Sequence, residues 1–252
     1  YTTFTKAGGG GPEGGVRVLN RLALERGTGL DLAFDASLDR ALEIEGSPFF
    51  PVPKPVAPAE LDVDERTGLI VFSDPARPGI WTFGMNAGPK SDELNVVDTG
   101  LAVGSAEPRS LDLDAATDTL YVAVSNGAIY VYENFRSMPG DAPDRTITPT
   151  NSIGASQIST SLAGLVHDSE RDLLIVSDIG EDAGLGNDGA LYVFDVASGA
   201  SGLTAPIATI SGASTGLDEP VGLAWDGSSL WVADRENGTI SRFDDFLNLD
   251  GN

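Results

Sequence analysis

The chain has 252 residues, no cysteine, and 38 acidic against 15 basic residues, a formal net charge of −23. That balance repels nucleic acid and anionic membrane surfaces and attracts cations. The missing thiols remove disulfides, thiolate metal sites and cysteine nucleophiles together.

Hydrophobic residues make up 41%, enough for the core of one large all-β domain. No stretch approaches the roughly 18–20 apolar residues of a membrane span. Only Lys6, Lys54 and Lys90 are lysines, so the cations are mostly arginine. An acidic, lysine-poor surface suits a salty or cation-rich exterior, and a GC-rich genome would give the same composition without selection. No basic-then-apolar leader opens the chain, so Tyr1 reads as a processed or trimmed start.

The first elements are irregular. Tyr1–Phe4 predicts a third strand of a blade. Gly11-Pro12 reads as a connector and Val16–Leu19 as a fourth strand. Leu30–Asp35 restarts the cycle, and Ala41-Leu42-Glu43-Ile44 is its second strand. Phe49–Pro55 alternates prolines, which bar a central strand and favour an extended connector.

From there a repeat is visible. Its first run ends in an acidic anchor: Leu61–Asp64, Leu111–Asp114, Leu165–Asp168 and Leu223–Asp226. A polar turn and a second apolar run follow: Leu69–Phe72, Leu120–Ala123, Leu173–Val176 and Leu230–Ala233. A third run comes after glycine and closes on an aromatic: Ile80–Phe83, Ile129–Tyr132, Leu191–Phe194 and Ile240–Phe243. Three copies then show a Pro-bearing connector and a short fourth run: Asn95–Val97, Arg145–Ile147 and Ala208–Ile210.

Each repeat is thus four short strands rich in β-branched and aromatic residues, with no sustained helical period. One such sheet cannot bury both faces alone; radial stacking buries them against each other. The expected fold is an all-β β-propeller of four-stranded antiparallel blades in a single domain, 1–252. Clear repeats fall at about 58–107, 108–160, 161–219 and 220–252, with an irregular part at 1–57. Five or six blades are expected, one abbreviated. The ends either complete a blade together, pair with a neighbouring subunit through open blade edges, or mark a fragment of a longer precursor.

The pattern resembles the NHL-type and SMP-30-like extracellular β-propellers. The resemblance rests on Pro220–Asp226, Leu230–Asp234, Gly238-Thr239-Ile240 and Ala142–Ile147, and covers roughly 58–243. It implies an extracellular or cell-surface setting. It is specific for architecture rather than activity, because such repeats serve ligand binding, protein interaction and hydrolysis alike.

The candidate metal ligands are carboxylates. Ten positions after the anchor aspartate the copies give Glu45, Asp74, Val124 and Asp178, and Asp234 is equivalent after a shorter turn. Quasi-symmetry would place them in a ring able to hold calcium, which takes six to eight oxygens. The competing reading is that they cap the turn after strand two. The loop 178–189 adds Glu181, Asp182 and Asp188 among glycines, either as a calcium loop or as a solvated one. Its Gly184-x-Gly186-x-x-Gly189 is followed by a strand and not a helix, which excludes a dinucleotide site.

Gly212-Ala213-Ser214-Thr215-Gly216 matches a hydrolase elbow. It lacks the strand-to-helix context, and the single histidine, His167, lies upstream. His167 itself reads as structural before catalytic. Asn237-Gly238-Thr239 is both a glycosylation sequon and a hairpin turn. Trp81, Trp225 and Trp231 sit in strands and are expected in the core.

With no usable nucleophile–base pair, the expectation is a non-catalytic secreted or cell-surface propeller. It would act as a binding or structural scaffold within a larger extracellular assembly, engaging a protein partner or itself, with no catalytic residue and no resident cofactor other than calcium. The alternative is a calcium-dependent lactonase or esterase of the SMP-30-like kind.

Overall fold

The computed structural model describes residues 2–8, 11–18, 40–43, 59–64, 66–75, 79–84, 95–97, 106–137, 142–151, 157–180, 188–195 and 199–248. The molecule is a β-propeller. Five sheets are formed among these residues.

Blade one is β4 (Leu61–Asp64), β5 (Leu69–Ser73), β6 (Ile80–Gly84) and β7 (Asn95–Val97). Blade two is β8 (Pro108–Asp114), β9 (Thr119–Val124), β10 (Ile129–Tyr132) and β11 (Arg145–Pro149). Blade three is β12 (Leu162–Asp168), β13 (Leu173–Asp178), β14 (Ala190–Asp195) and β16 (Ala208–Ser211). Blade four has three strands: β17 (Pro220–Trp225), β18 (Leu230–Asp234) and β19 (Thr239–Phe243). Each blade is an antiparallel meander, so neighbours in sequence are neighbours in the sheet.

The strand sequences explain the stacking. Strand two of blades one to three is apolar on both sides because both sides are covered. In β9, Leu120, Val122 and Val124 pack with Val71 and Ile80 of blade one. Tyr121 and Ala123, pointing the other way, pack with Leu165, Leu174 and Val176 of blade three. Blades three and four meet through Ile175, Leu191, Val193, Leu230 and Val232. The first strands β4, β8, β12 and β17 lie side by side as the inner row.

The N-terminal region differs from expectation. Thr2–Gly8 (β1), Gly11–Val18 (β2) and Arg40–Glu43 (β3) form one three-stranded antiparallel sheet, not parts of two blades. Gly11 and Pro12 lie inside β2 rather than in a connector. Among the described residues β3 pairs only with Gly15–Val18, so Pro12 has a single strand neighbour, β1, as an edge-strand proline does. Leu30–Asp35 and Phe49–Pro55 lie outside the described residues.

Two further features were not anticipated. The connector between β14 and β16 holds a short strand, β15 (Gly202–Thr204), that leaves its own blade and pairs in parallel with β11 of blade two. Thr150 N donates to Thr204 O (2.9 Å), and Arg145 Nη1 donates to the carbonyl of Ala200. Second, β10 and β19 are each followed by a left-handed residue (Asn134, φ 53°; Asp245, φ 50°) and a 3-10 turn. That turn drops Phe135 or Phe246 into the core, each 2% exposed. The shared signal is Tyr132-Glu133-Asn134-Phe135 against Phe243-Asp244-Asp245-Phe246.

Candidate functional site at the acidic ends of the blades

Carboxylates collect at both ends of the blades, and the hydrogen bonds show what each set does. The anchor aspartates close the hairpin between strands one and two. Asp64 Oδ1 accepts from Arg66 N (3.0 Å), and its second oxygen accepts from the Thr67 hydroxyl. Asp114 accepts from Ala116 N (2.9 Å) and Thr117 Oγ1 (2.8 Å). Asp168 accepts from Glu170 N (3.0 Å) and Arg171 Nη1 (2.7 Å), and Asp226 from Ser228 N (2.9 Å) and Ser229 N (2.7 Å). These are Asx-type turns.

The titrations follow from those bonds. The Thr67 hydroxyl bond lowers the pKa of Asp64, outweighing burial. Backbone donors Ser229 and Ser228 lower Asp226. Burial opposes the shift at Asp168, yet bonds from the Arg171 side chain and from the Arg171 and Glu170 N–H groups leave it lowered.

At the opposite end lie the strand-two aspartates. Asp178 is 3% exposed; its Oδ1 accepts from Ser159 Oγ (3.0 Å) and Gly180 N (3.0 Å), its Oδ2 from Tyr192 OH (3.2 Å). Asp234 accepts from Asp218 N (2.8 Å) and Asn237 N (3.0 Å). Asp74 is fully buried at the start of the turn after β5, and its N–H donates to Gly79 O (3.4 Å). Thus Asp178 and Asp234 each bind the next turn and also the segment entering strand one. They tie the inter-blade connector to the blade.

The structure brings two of the six metal candidates together. Gly180 (φ 87°) lies between Asp178 and Asp188, so close to Asp188 that a Cβ there would stand 2.3 Å from its carboxylate. Asp74 and Asp234 belong to other blades. Glu181 and Asp182 lie outside the described residues. Among the described residues no three acidic or histidine side chains are grouped to hold a metal ion.

The inner row carries a second set of polar groups. Asp62 Oδ2 accepts from Leu113 N (2.8 Å), Ser110 Oγ from Leu165 N (3.0 Å), and Asp112 Oδ2 from His167 N (3.0 Å). Each is a side chain of one blade bound to the inner-strand backbone of the next. Burial, reinforced by Asp62, Asp114 and Glu60, raises Asp112 to about 7 despite the His167 N–H. Burial likewise raises Glu60.

His167 is enclosed. Its side chain is 4% exposed, with Nε2 3.4 Å from Asp172 Oδ1 and Nδ1 3.9 Å from Asp114 Oδ2. Tyr121 lies 4.6 Å away, ring to ring. Burial, with Asp172 nearby, pushes the Tyr121 hydroxyl up to about 12. Ser214 is exposed in a turn after β16, the outermost strand of the blade whose innermost strand, β12, holds His167, so the two lie at opposite edges of one sheet. Asn237 is an exposed turn residue whose Nδ2 donates to Gly216 O (2.9 Å).

The tryptophans separate. Trp81 is 2% exposed and stacks with Phe72, and Trp225 meets Phe246 edge-on. Trp231 departs from expectation: it is 40% exposed, with the Arg242 guanidinium 5.1 Å from its ring centre. Its register equivalents Val71, Tyr121 and Ile175 are at most 1% exposed. Ile240, the counterpart of Ile80, Ile129 and Leu191, is 73% exposed where they are 0%. Thus the side of blade four that corresponds to the next-facing side of the other blades is open. Sequence gave Trp231 a core position because a strand pattern cannot show whether a next sheet is present.

A scan against protein-family models and a search of curated proteins each find no match. Solved structures do match. One, described as a nidogen/laminin complex, aligns over 99% of this chain and 91% of that chain at 15% identity and a TM-score of 0.46. Another is described as a putative 6-phosphogluconolactonase from Bacteroides uniformis. It aligns over 95% of this chain at 14% identity and a TM-score of 0.54, and this chain spans 62% of its length. At such identities the second likeness carries the fold alone.

Proposed function

We propose that this chain is a non-catalytic extracellular or cell-surface β-propeller that acts as a binding and structural scaffold within a larger assembly. The observation that carries the reading is the open side of blade four. It sets Trp231, Ile240 and Arg242 on the surface where three sister blades bury their equivalents. Tryptophan and arginine on an uncovered sheet are the residue types that anchor protein interfaces. The enclosure of His167 and the placement of Ser214 beyond the opposite edge strand of the same blade favour the same reading.

A second reading, a calcium-dependent lactonase or esterase, draws support from Asp178 and Asp188 meeting at Gly180. One experiment separates the two. Chelator-stripped protein is titrated with Ca²⁺ by calorimetry and assayed with lactone and ester substrates. The scaffold reading expects weak, salt-sensitive, many-site binding and no turnover. Tight binding at a defined stoichiometry together with turnover, lost in Asp178→Asn, would overturn it.

A further inference from the structure

The sequence holds two stretches of more than 20 residues without Asp, Glu, Lys or Arg, 146–166 and 196–217. The fold brings them side by side, because Ile147, Thr148 and Pro149 of β11 pair with Gly202, Leu203 and Thr204 of β15. We propose that this neutral rim is a self-association surface, on which β15 pairs antiparallel with β15 of a second copy of this chain, about a two-fold axis at Leu203. The inference rests on the scaffold reading and adds to it a surface and a partner.

The backbone is arranged for that pairing. Among the described strands β15 is the edge of its sheet, with β11 as its one neighbour. Thr204 turns its carbonyl towards β11, where Thr150 N donates to it (2.9 Å). Successive residues of a paired strand direct their N–H and C=O groups to opposite sides, so Leu203 directs both away from β11. Two such residues set antiparallel exchange both bonds, and their side chains stand together on one side of the joined sheet. Leu203 is 67% exposed, and Ile207, four residues on, is 62% exposed. Edge strands are commonly guarded by charged side chains or proline. Gly202–Thr204 carries neither.

Charge names the occupant. At −23 the surface at large attracts basic partners and repels acidic ones. A basic partner gains no attraction from a neutral window, whereas an acidic partner meets the least repulsion there. A second copy carries the same −23. Arg145, which borders the window at the head of β11, is already paired with Glu133 (2.8 Å). The other exposed apolar pair, Trp231 and Ile240, lies in the stretch 218–245, whose seven acidic and two basic residues would set acid against acid in a twin. Both copies present the same strand, so the contact is isologous and closes at the dimer.

Sedimentation velocity of the chain across a dilution series, at low and at high salt, tests this. The expected result is monomer and dimer with no larger species, and a dimer share that rises with salt as the repulsion between copies is screened. Leu203→Glu should raise the dimer dissociation constant about tenfold or more, because it sets two carboxylates face to face. Leu203 is exposed, so a urea midpoint matching the parent protein shows that the variant folds. The chain has no cysteine, so Leu203→Cys introduces a single thiol. Opposed residues of such a pair stand about 5.5 Å apart, within disulfide reach. Oxidised glutathione should therefore link Leu203→Cys into a covalent dimer much faster than Ile240→Cys. A monomer at every concentration overturns the inference, as does a dimer that survives Leu203→Glu, or equal cross-linking of the two thiol variants. Each of these without hydrolytic turnover leaves the scaffold reading standing, whereas turnover strikes that reading itself.

Discussion

The seam between blades two and three and the seam between blades three and four join the same repeat in two ways. In the first, Ser110 and Asp112 reach across to the backbone N–H groups of Leu165 and His167, and His167 lies among Tyr121, Asp114 and Asp172. In the second, Gly164 and Val166 occupy the positions of Ser110 and Asp112. No such side-chain rung is possible there. Instead the backbones close up: a Cβ on Gly164 would stand 2.8 Å from the Val221 carbonyl and 3.0 Å from the Leu223 side chain. Sheet-on-sheet packing is common to both. The polar rungs add orientation at the cost of buried charge, while the glycine adds proximity and no charge.

The largest expected effect shows what both seams share. Ile175→Ala removes a fully buried side chain from the three–four seam and should cost about 2–5 kcal/mol, read as a lower urea midpoint that shifts equally at all pH values. A loss that instead varied with pH would mean the seam contains charge not evident in the packing.

Next comes Gly164→Val, with an expected cost of about 1–3 kcal/mol from overpacking against Val221, Ser177 and Leu223. If the variant unfolds at the parent's midpoint, close approach is not what holds the second seam.

The smallest effect is the most diagnostic. The raised pKa of Asp112, about 7, means the folded chain keeps a proton that the unfolded chain releases near pH 4. The contribution of that proton to stability is therefore complete below the unfolded value and is lost as pH rises through about 7. Asp64, Asp168 and Asp226 are shifted down, so their contribution is present above the unfolded value and lost on acidification. Stability should peak at mildly acidic pH. Asp112→Asn should flatten the neutral limb by on the order of 1 kcal/mol, seen in urea midpoints taken from pH 5 to 8. An unchanged slope would place the proton elsewhere, Glu60 being the other raised carboxyl among the described residues.

Much of the blade pattern was readable because the alternation of β-branched and aromatic runs is local. The run Asn95–Val97 coincides with β7, and Leu69–Phe72 and Leu120–Ala123 lie within β5 and β9. What escaped depends on contacts between blades. Gly202–Thr204 has no strand signature; it is extended because β11 offers an open edge. Trp231 and its counterpart Ile175 look alike in sequence and differ only in what lies beside them. The strand-two aspartates gave the clearest positional signal. Their partners, Ser159 and the Asp218 N–H, come from connectors whose placement no repeat spacing reveals.

The parallel pairing of β15 with β11 bears on how such a chain can change over time. A repeat is exchangeable when its edges coincide with the edges of its sheet. Here the outer strand of one blade is flanked by a strand borrowed from the following blade's connector. Excising the sequence of blade three would strip blade two of its rim, and duplicating it would supply a spare rim with no blade to edge. The two blades therefore form one unit of exchange, and insertions or deletions that respect their joint boundary should be tolerated where those that split it are not.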